Sequence, residues 1–255
     1  MYFNISGGLI FAGDHYGQML FSKTSVKDYA AYLKEYPVDV LSLSEIHLET
    51  PDHSEMMDYL ARELGYSHQA TTVLDSSFLD TSKLLGMGVL SRYPISKREH
   101  FTIPSPKLEV DRPNGDHWIM LDKGGQRVTL DVDGQQVGLT NFSYFPFHHF
   151  GRRVDEPAFA ELRQQLLDLL RPDRSLPTVI TGDFNSKGLE VRKAFPELFA
   201  ADTLRQAVTT ETTVVGGHDQ LDHILYTPGT LVAGQPWVGQ SPSDHLAISA
   251  VISLR

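Results

Sequence analysis

The chain has 255 residues and no cysteine, and 22 Lys and Arg stand against 32 Asp and Glu, a net charge of −10. Disulfides, thiolate nucleophiles and zinc-thiolate sites are therefore excluded, and the acidic balance argues against tight binding of duplex nucleic acid through its phosphates. No run approaches the roughly 18 apolar residues of a membrane span, no basic-then-apolar leader opens the sequence, and no linker or low-complexity tract divides it, so residues 1–255 read as one cytoplasmic domain.

In chain order, the first strand-like run is Tyr2 to Ile5, followed by a helical pattern from about Ser25 to Glu35 and the alternating run Val38 to Ser44, which ends at Glu45. A second helical pattern covers about Ser54 to Leu64. Strand-like runs follow at Met87 to Ser91, Trp118 to Leu121, Arg127 to Val132 and Gln136 to Phe142, the last two joined by the hairpin signal Asp133-Gly134. A helix is expected from Pro157 to Leu170, where Phe159, Leu162, Leu166, Leu169 and Leu170 form an apolar stripe, Pro157 suits the first turn and Pro172 ends it. The remaining strand-like runs are Thr178 to Thr181, Leu221 to Tyr226 and Leu246 to Ile252. Long loops are expected over Asp75 to Gly86, Pro104 to Asp116 and Tyr144 to Glu156. Helices interrupt runs of strands without strict alternation, which predicts an α/β assembly of two packed, mostly antiparallel sheets with helices outside.

Chemistry-bearing residues gather at the ends of these runs. Asn4, Glu45, Asp183 with Asn185, Asp222, and Asp244 with His245 each lie at or beside an apolar strand. Each has an ordinary reading by itself. Glu45 can be a solvated loop acid, Asp183 and Asn185 can be turn residues, and Ser243-Asp244-His245 can cap the last strand. Asp222 is harder to dismiss, because a charge inside the run Leu221 to Tyr226 needs a partner. Together the set meets the needs of phosphate-ester hydrolysis. Glu and Asp offer oxygen ligands to a divalent ion, a further carboxylate can orient water, Asn donates without adding charge, and a His held by an Asp can stay protonated near pH 7.

Six segments in order resemble the endonuclease/exonuclease/phosphatase superfamily: Phe3-Asn4-Ile5-Ser6-Gly7, Ser44-Glu45, Gly88 to Ile95, Gly182-Asp183-Phe184-Asn185, Leu221-Asp222-His223-Ile224 and Ser243-Asp244-His245. The resemblance spans nearly the whole chain and implies a DNase I-like, four-layered α/β sandwich. It further implies that Asn4 and Glu45 hold Mg²⁺, for which Mn²⁺ could substitute, with Asp244 near the metal. By the same resemblance Asp183 would activate water, Asn185 would hold a phosphate oxygen, and Asp222 would keep His245 charged. The implied activity is hydrolysis of a phosphate ester, a phosphodiester first, by direct water attack. The alternatives are a phosphomonoesterase for a metabolite or inositol phosphate, a nuclease acting on short or single-stranded nucleic acid, and, remotely, a non-catalytic binding module.

Two departures from the family pattern concern the site. Ser6 stands where many nuclease members carry an acid. In the middle motif Tyr144 matches a family tyrosine, implying a catalytic role, with Pro146 in register and Phe147 in place of an Asn. The loop that follows offers two readings. Arg152 and Arg153 could fork onto a phosphate, with His148 or His149 assisting and the phenylalanines stacking on the substrate; or the phenylalanines pack beneath the loop while both arginines pair with Asp155 and Glu156.

Overall fold

The computed structural model describes residues 1–112, 115–173, 175–229 and 231–254. In chain order the strands are β1 (Tyr2–Asn4), β2 (Leu9–Phe11), β3 (Phe21–Thr24), β4 (Val40–Leu48), β5 (His68–Ser76), β6 (Leu84–Ser91), β7 (Ile95–Ile103), β8 (Glu109–Asp111), β9 (His117–Ile119) and β10 (Lys123–Val132). They continue with β11 (Gln135–Ser143), β12 (Thr178–Asp183), β13 (Arg205–Gln206), β14 (Asp222–Tyr226), β15 (Leu231–Gly239) and β16 (Ala247–Leu254). The helices are α1 (Val26–Glu35), α2 (Glu55–Leu64), α3 (Ala160–Leu170) and the single turn α4 (Val191–Ala194).

Two six-stranded sheets form the body, in the orders β15-β16-β1-β4-β6-β5 and β13-β14-β12-β11-β10-β7. Neighbours pair antiparallel except β1 with β4 and β11 with β12. Strand alternation divides the apolar residues into layers. Phe3, Leu41 and Leu43 face outward onto Tyr29 and Leu33 of α1 and Met57 and Leu60 of α2. Phe142, Ile180 and Leu225 face outward from the other sheet onto Leu166 and Leu170 of α3. Between the sheets lie Val89, Val128, Leu130 and Leu139, and at the other side Tyr2, Ile224 and Ile248. The result is the four-layered sandwich, helices, sheet, sheet, helices, expected from the sequence. No helix of the described residues is long and apolar enough to cross a membrane.

Local signals account for the helices. The Ser25 and Ser54 hydroxyls accept from the amides of Asp28 and Met57 and cap α1 and α2, and Gly65 at φ 73° closes α2 in the left-handed conformation. The helix expected from Pro157 begins as a 3-10 turn at Pro157–Phe159 before α3. Asp133 and Gly134 have φ of 53° and 84° and join Val132 to Gln135 as the tight hairpin.

The sequence reading missed β5, β7 and β15, which are edge strands of the two sheets. β7 carries Lys97, Arg98, Glu99 and His100 in succession, all exposed, and β15 contains Pro236 and a positive φ at Gln235. Edge strands tolerate charge and proline because one side of each has no ladder to maintain. The loop expected over Asp75 to Gly86 shrinks accordingly, since β5 runs to Ser76 and β6 begins at Leu84. The strand expected at Trp118 to Leu121 is the short β9, paired with β8 in a separate two-stranded ribbon that occupies part of the loop expected over Pro104 to Asp116. Pro113 and Asn114 of that loop lie outside the described residues.

β14 shows what alternation does to charge. Asp222 and Ile224 face the space between the sheets, whereas His223 faces outward, its ring edge-on to Phe184 at 5.2 Å. The Gln220 carbonyl accepts from its Nε2 at 3.1 Å. Burial holds this imidazole down at about 3, against 6.5 in an unfolded chain. A depressed folded value means the associated stability is complete above pH 6.5 and is lost as pH falls toward about 3, because only the unfolded chain takes up the proton. At pH 5 the loss should reach ~2 kcal/mol. Urea unfolding at pH 7 and pH 5 should therefore show a larger drop for the wild type than for His223→Gln; equal drops would refute the assignment.

Candidate active site

One row of paired residues crosses the second sheet at one end. Gly124 of β10 lies opposite Ser143 of β11, Ser143 opposite Asp183 of β12, and Asp183 opposite Asp222 of β14. Facing them, β1 brings Asn4 opposite Ser44, and Glu45 follows at a bulge in β4 between Ser44 and Ile46. Gly182 is needed for the row to form: a Cβ there would come within 2.5 Å of the Phe142 ring. Ser6, Glu45 and Asn185 all have positive φ, at 44°, 55° and 51°. Such backbone costs of order 1–3 kcal/mol for a residue with a side chain, so three cases around one cleft mark a place where geometry outweighs stability.

The centre of the cleft is a buried triad. His245 Nδ1 donates to Asp222 Oδ2 at 2.8 Å, and ligand atoms of Asp183, Asp222 and His245 lie within 4.8 Å of one another. A carboxylate can only accept, so the proton is on Nδ1 and Nε2 is left for the site. Burial pulls the imidazolium down, but Asp222, Asp244 and Asp183 raise it to about 10, so His245 is a cation at neutral pH. Burial, and then the neighbouring Asp222, push the Asp183 carboxyl well above the usual carboxylate range. Asp183 Oδ1 accepts from the Asn185 backbone amide at 2.9 Å. The Asn185 side-chain amide donates to the Tyr144 carbonyl at 2.9 Å, and its Oδ1 is buried without a hydrogen-bond partner.

Across from the triad, Asn4 Oδ1 accepts from the Ser6 backbone amide at 3.1 Å. Burial raises the Glu45 pKa, Lys123 and His245 lower it, Asp244 raises it, and the Asn4 side chain is among the groups that lower it. Asp244 Oδ1 accepts from the Ser6 hydroxyl at 2.6 Å and the Ser243 hydroxyl at 3.2 Å. Ser6 thus fastens the acid at this corner of the cleft. Glu45, Asp183, Asp222 and Asp244 outnumber His245 and Lys123 by two charges, and Glu45, Asn4 and Asp244 present only oxygen ligands with the amide. The donor set and the charge deficit both fit a hard divalent cation.

Not every expected residue joins this group. Tyr144 follows Phe142 on the outward face of β11, and its ring packs against Phe145, Phe147 and Phe195 with the hydroxyl buried and unpartnered. Its carbonyl, not its phenol, serves the site, which corrects the catalytic role implied by the family motif. Phe145 and Phe147 are fully buried in the same cluster. Arg152 Nε donates to Glu156 at 2.8 Å, and Arg153 bonds Asp155 through both Nε and Nη2 at 2.9 Å. The packing alternative for this loop therefore describes it, and the arginines are not presented as a phosphate fork.

His148 and His149 do reach the cleft, as part of a wall that the sequence reading did not assemble. The Tyr16 hydroxyl lies 3.3 Å from His148 Nε2 and 3.4 Å from His149 Nε2, and the Tyr16 ring stands edge-on to His245 at 5.2 Å. Trp118 meets His149 at 5.8 Å, Arg112 covers the Trp118 ring at 4.2 Å, and Lys187 lies 5.5 Å from the Tyr16 ring centre. Burial holds His148 at about 2 and His149 at about 4, so both rings are neutral donors or acceptors.

Comparison with known proteins identifies the family and the fold. The sequence model of the Endonuclease/Exonuclease/phosphatase family matches residues 1–245. No match was found among curated proteins. An endonuclease/exonuclease/phosphatase from Beutenbergia cavernae shares the fold at TM-score 0.67 and 18% identity, over 99% of this chain and 70% of that one. A family protein from Leptotrichia buccalis does so at 0.65 and 16%, over 99% and 98%. The human Nocturnin catalytic domain does so at 0.58 and 16%, over 89% and 86%. With the matched motifs carried on a DNase I-like sandwich, the chain belongs to the endonuclease/exonuclease/phosphatase family of phosphoester-hydrolysing enzymes.

Proposed function

We propose that the protein is a divalent-cation-dependent hydrolase of small phosphate esters that works by direct attack of water. The observation that carries this reading is the buried Asp222–His245 pair at 2.8 Å with Asp183 inside the same 4.8 Å cluster. Asp183 would take the proton of a water, the Asn185 backbone amide steadies that carboxylate, and the Asn185 side-chain amide would hold a phosphoryl oxygen. His245, held cationic by Asp222, directs Nε2 at the charge that develops on the phosphoryl group or the leaving oxygen. Asn4, Glu45 and Asp244 would hold Mg²⁺ or Mn²⁺, which when bound screens the phosphate and the leaving oxygen. In its absence burial, and then the neighbouring Asp222, favour a protonated Asp183, a poor base.

Substrate size follows from charge and from the loop. The nuclease expectation drew on Arg152 and Arg153, and both are committed to acids. The net charge of −10 then weighs toward a compact phosphorylated molecule. A second reading, a short single-stranded nucleic acid, is favoured by the rings of Tyr16, Trp118 and His149, on which bases could stack. The test is a panel of p-nitrophenyl phosphate, bis-p-nitrophenyl phosphate, inositol phosphates and single-stranded and duplex nucleic acid. Turnover of at least one ester should vanish on chelation and return with Mg²⁺ or Mn²⁺. Turnover that survives chelation would contradict the proposal.

A further inference from the structure

Ser143 carries a hydroxyl that the fold leaves unused beside the triad. The residue ends β11 and is 1% exposed, and its Oγ is buried with no hydrogen-bond partner among the described residues. The register fixes the direction of that oxygen. Ser143 lies opposite Asp183 of β12, and residues paired across strands about 4.8 Å apart carry their side chains on the same face. Asp183 turns into the cleft with Asp222 and His245, so Ser143 turns there too. Asn141, two residues back on the same face, confirms it: its Nδ2 donates across the sandwich to the Leu43 and Gly88 carbonyls, each at 2.9 Å.

The neighbours of the hydroxyl are otherwise committed. On the β10 side Ser143 faces Gly124, which has no side chain to offer. The Asn141 amide is taken by the facing sheet. Within the row Asp183 is the only side chain beside Ser143, and its Oδ1 already accepts from the Asn185 backbone amide. A buried hydroxyl without a partner gives up its hydration for nothing, and alanine would cost the fold less. The position therefore calls for a group that arrives with the reaction and meets Ser143 and Asp183 together.

We propose that Ser143 Oγ holds the water that attacks phosphorus, as the second of two acceptors on it. This deepens the phosphoester reading above and rests on it. An attacking water has one lone pair to spend on phosphorus and two hydrogens to place. One goes to the Asp183 carboxylate as a proton while the water oxygen bonds to phosphorus. The leaving oxygen departs with the pair of the broken bond, met by the His245 cation. The second hydrogen needs an acceptor on the side of Asp183, or the water is free to turn its hydrogens toward the phosphate. Asp222, on the other flank of Asp183, also has a buried oxygen without a partner, Oδ1. A second carboxylate would compete with Asp183 for the proton, whereas a hydroxyl accepts the hydrogen bond and cannot take it.

The test is a double-mutant cycle in the Mg²⁺-loaded enzyme, on whichever ester the wild type turns over best. Ser143→Ala should lower kcat ~10-fold and leave KM within ~2-fold, the loss of one hydrogen bond made to the attacking water. Ser143→Thr, which keeps the hydroxyl, should retain at least about a third of the wild-type kcat. In Asp183→Asn, where the water has no base, adding Ser143→Ala should cost less than ~3-fold, because both residues act on the same molecule. Calorimetric binding of the ester to Asp183→Asn should be the same with serine or alanine at 143, and Tm of Ser143→Ala should not fall below that of the wild type. A Ser143→Ala enzyme within ~2-fold of the wild-type kcat would overturn the proposal. So would losses that multiply in the double variant together with weaker ester binding, which would assign the hydroxyl to the phosphate. Both results leave the hydrolase reading in place, whereas a loaded wild type that cleaves no ester removes that reading and this inference with it.

Discussion

Asp183→Ala is expected to lower kcat/KM at least ~100-fold, with the loss mainly in kcat, because it removes the group placed to accept the proton of the attacking water. Steady-state kinetics on whichever ester the wild type turns over best provides the measurement. Asp183→Asn should lose as much, since the amide keeps the shape and the contact with the Asn185 backbone but cannot take a proton. The same substitutions carry a second expectation that separates catalysis from folding. Asp183 lies buried against Asp222, and burial with that neighbour already pushes its carboxyl toward the neutral form. Removing it relieves repulsion, so Tm measured without added metal should not fall below that of the wild type. An inactive variant that is at least as stable would place the residue in the chemistry. A variant that retains more than a tenth of the wild-type rate would remove it from the mechanism.

His245→Ala should behave in the opposite way, losing both activity and stability. The rate should fall ~100-fold or more for want of the cation facing the phosphoryl group. Stability should fall by about 3–5 kcal/mol, because the fully buried Asp222 loses its ion-pair partner. Asp222→Asn isolates the electrostatic part, since it keeps the packing and removes the charge that does most to raise His245 to about 10. The raised value means that the stability from this pair is complete below about pH 6.5 and is lost as pH rises through about 10. In Asp222→Asn that alkaline limb should move to lower pH, and kcat should decline across the neutral range where the wild type is flat. A pH–rate profile identical to that of the wild type would show that the Asp222 charge does not govern His245.

The sandwich could be read from sequence because its central strands obey simple alternation, and the motif acids were conspicuous because they end those strands. The parity of the alternation was also available, and it would have separated Tyr144 from the site. Asn141 and Ser143 share the inward face with Leu139, so Phe142 and Tyr144 must face the helices. Glu45 is a different case. Strict alternation from Leu41 and Leu43 leaves its direction to a local bulge and a φ of 55°, which composition does not announce. Arg152 and Arg153 could not be resolved because the acids that claim them, Glu156 and Asp155, lie within four residues, and sequence does not rank a local ion pair against a substrate. The wall of Tyr16, Trp118, His148 and His149 was out of reach for another reason. Its members come from three segments between 16 and 149 that only the packed sheets bring together.

On the proposed reading the acidic cleft requires a divalent cation and uses Asp183 on water. Its most direct measurement is turnover of the phosphate-ester panel by the wild-type protein after chelation and after return of Mg²⁺, with Asp183→Ala as the blank. The expected result is an ester that is cleaved only with the metal restored and only when Asp183 is present. Cleavage by the chelated enzyme, or equal cleavage by Asp183→Ala, would contradict it.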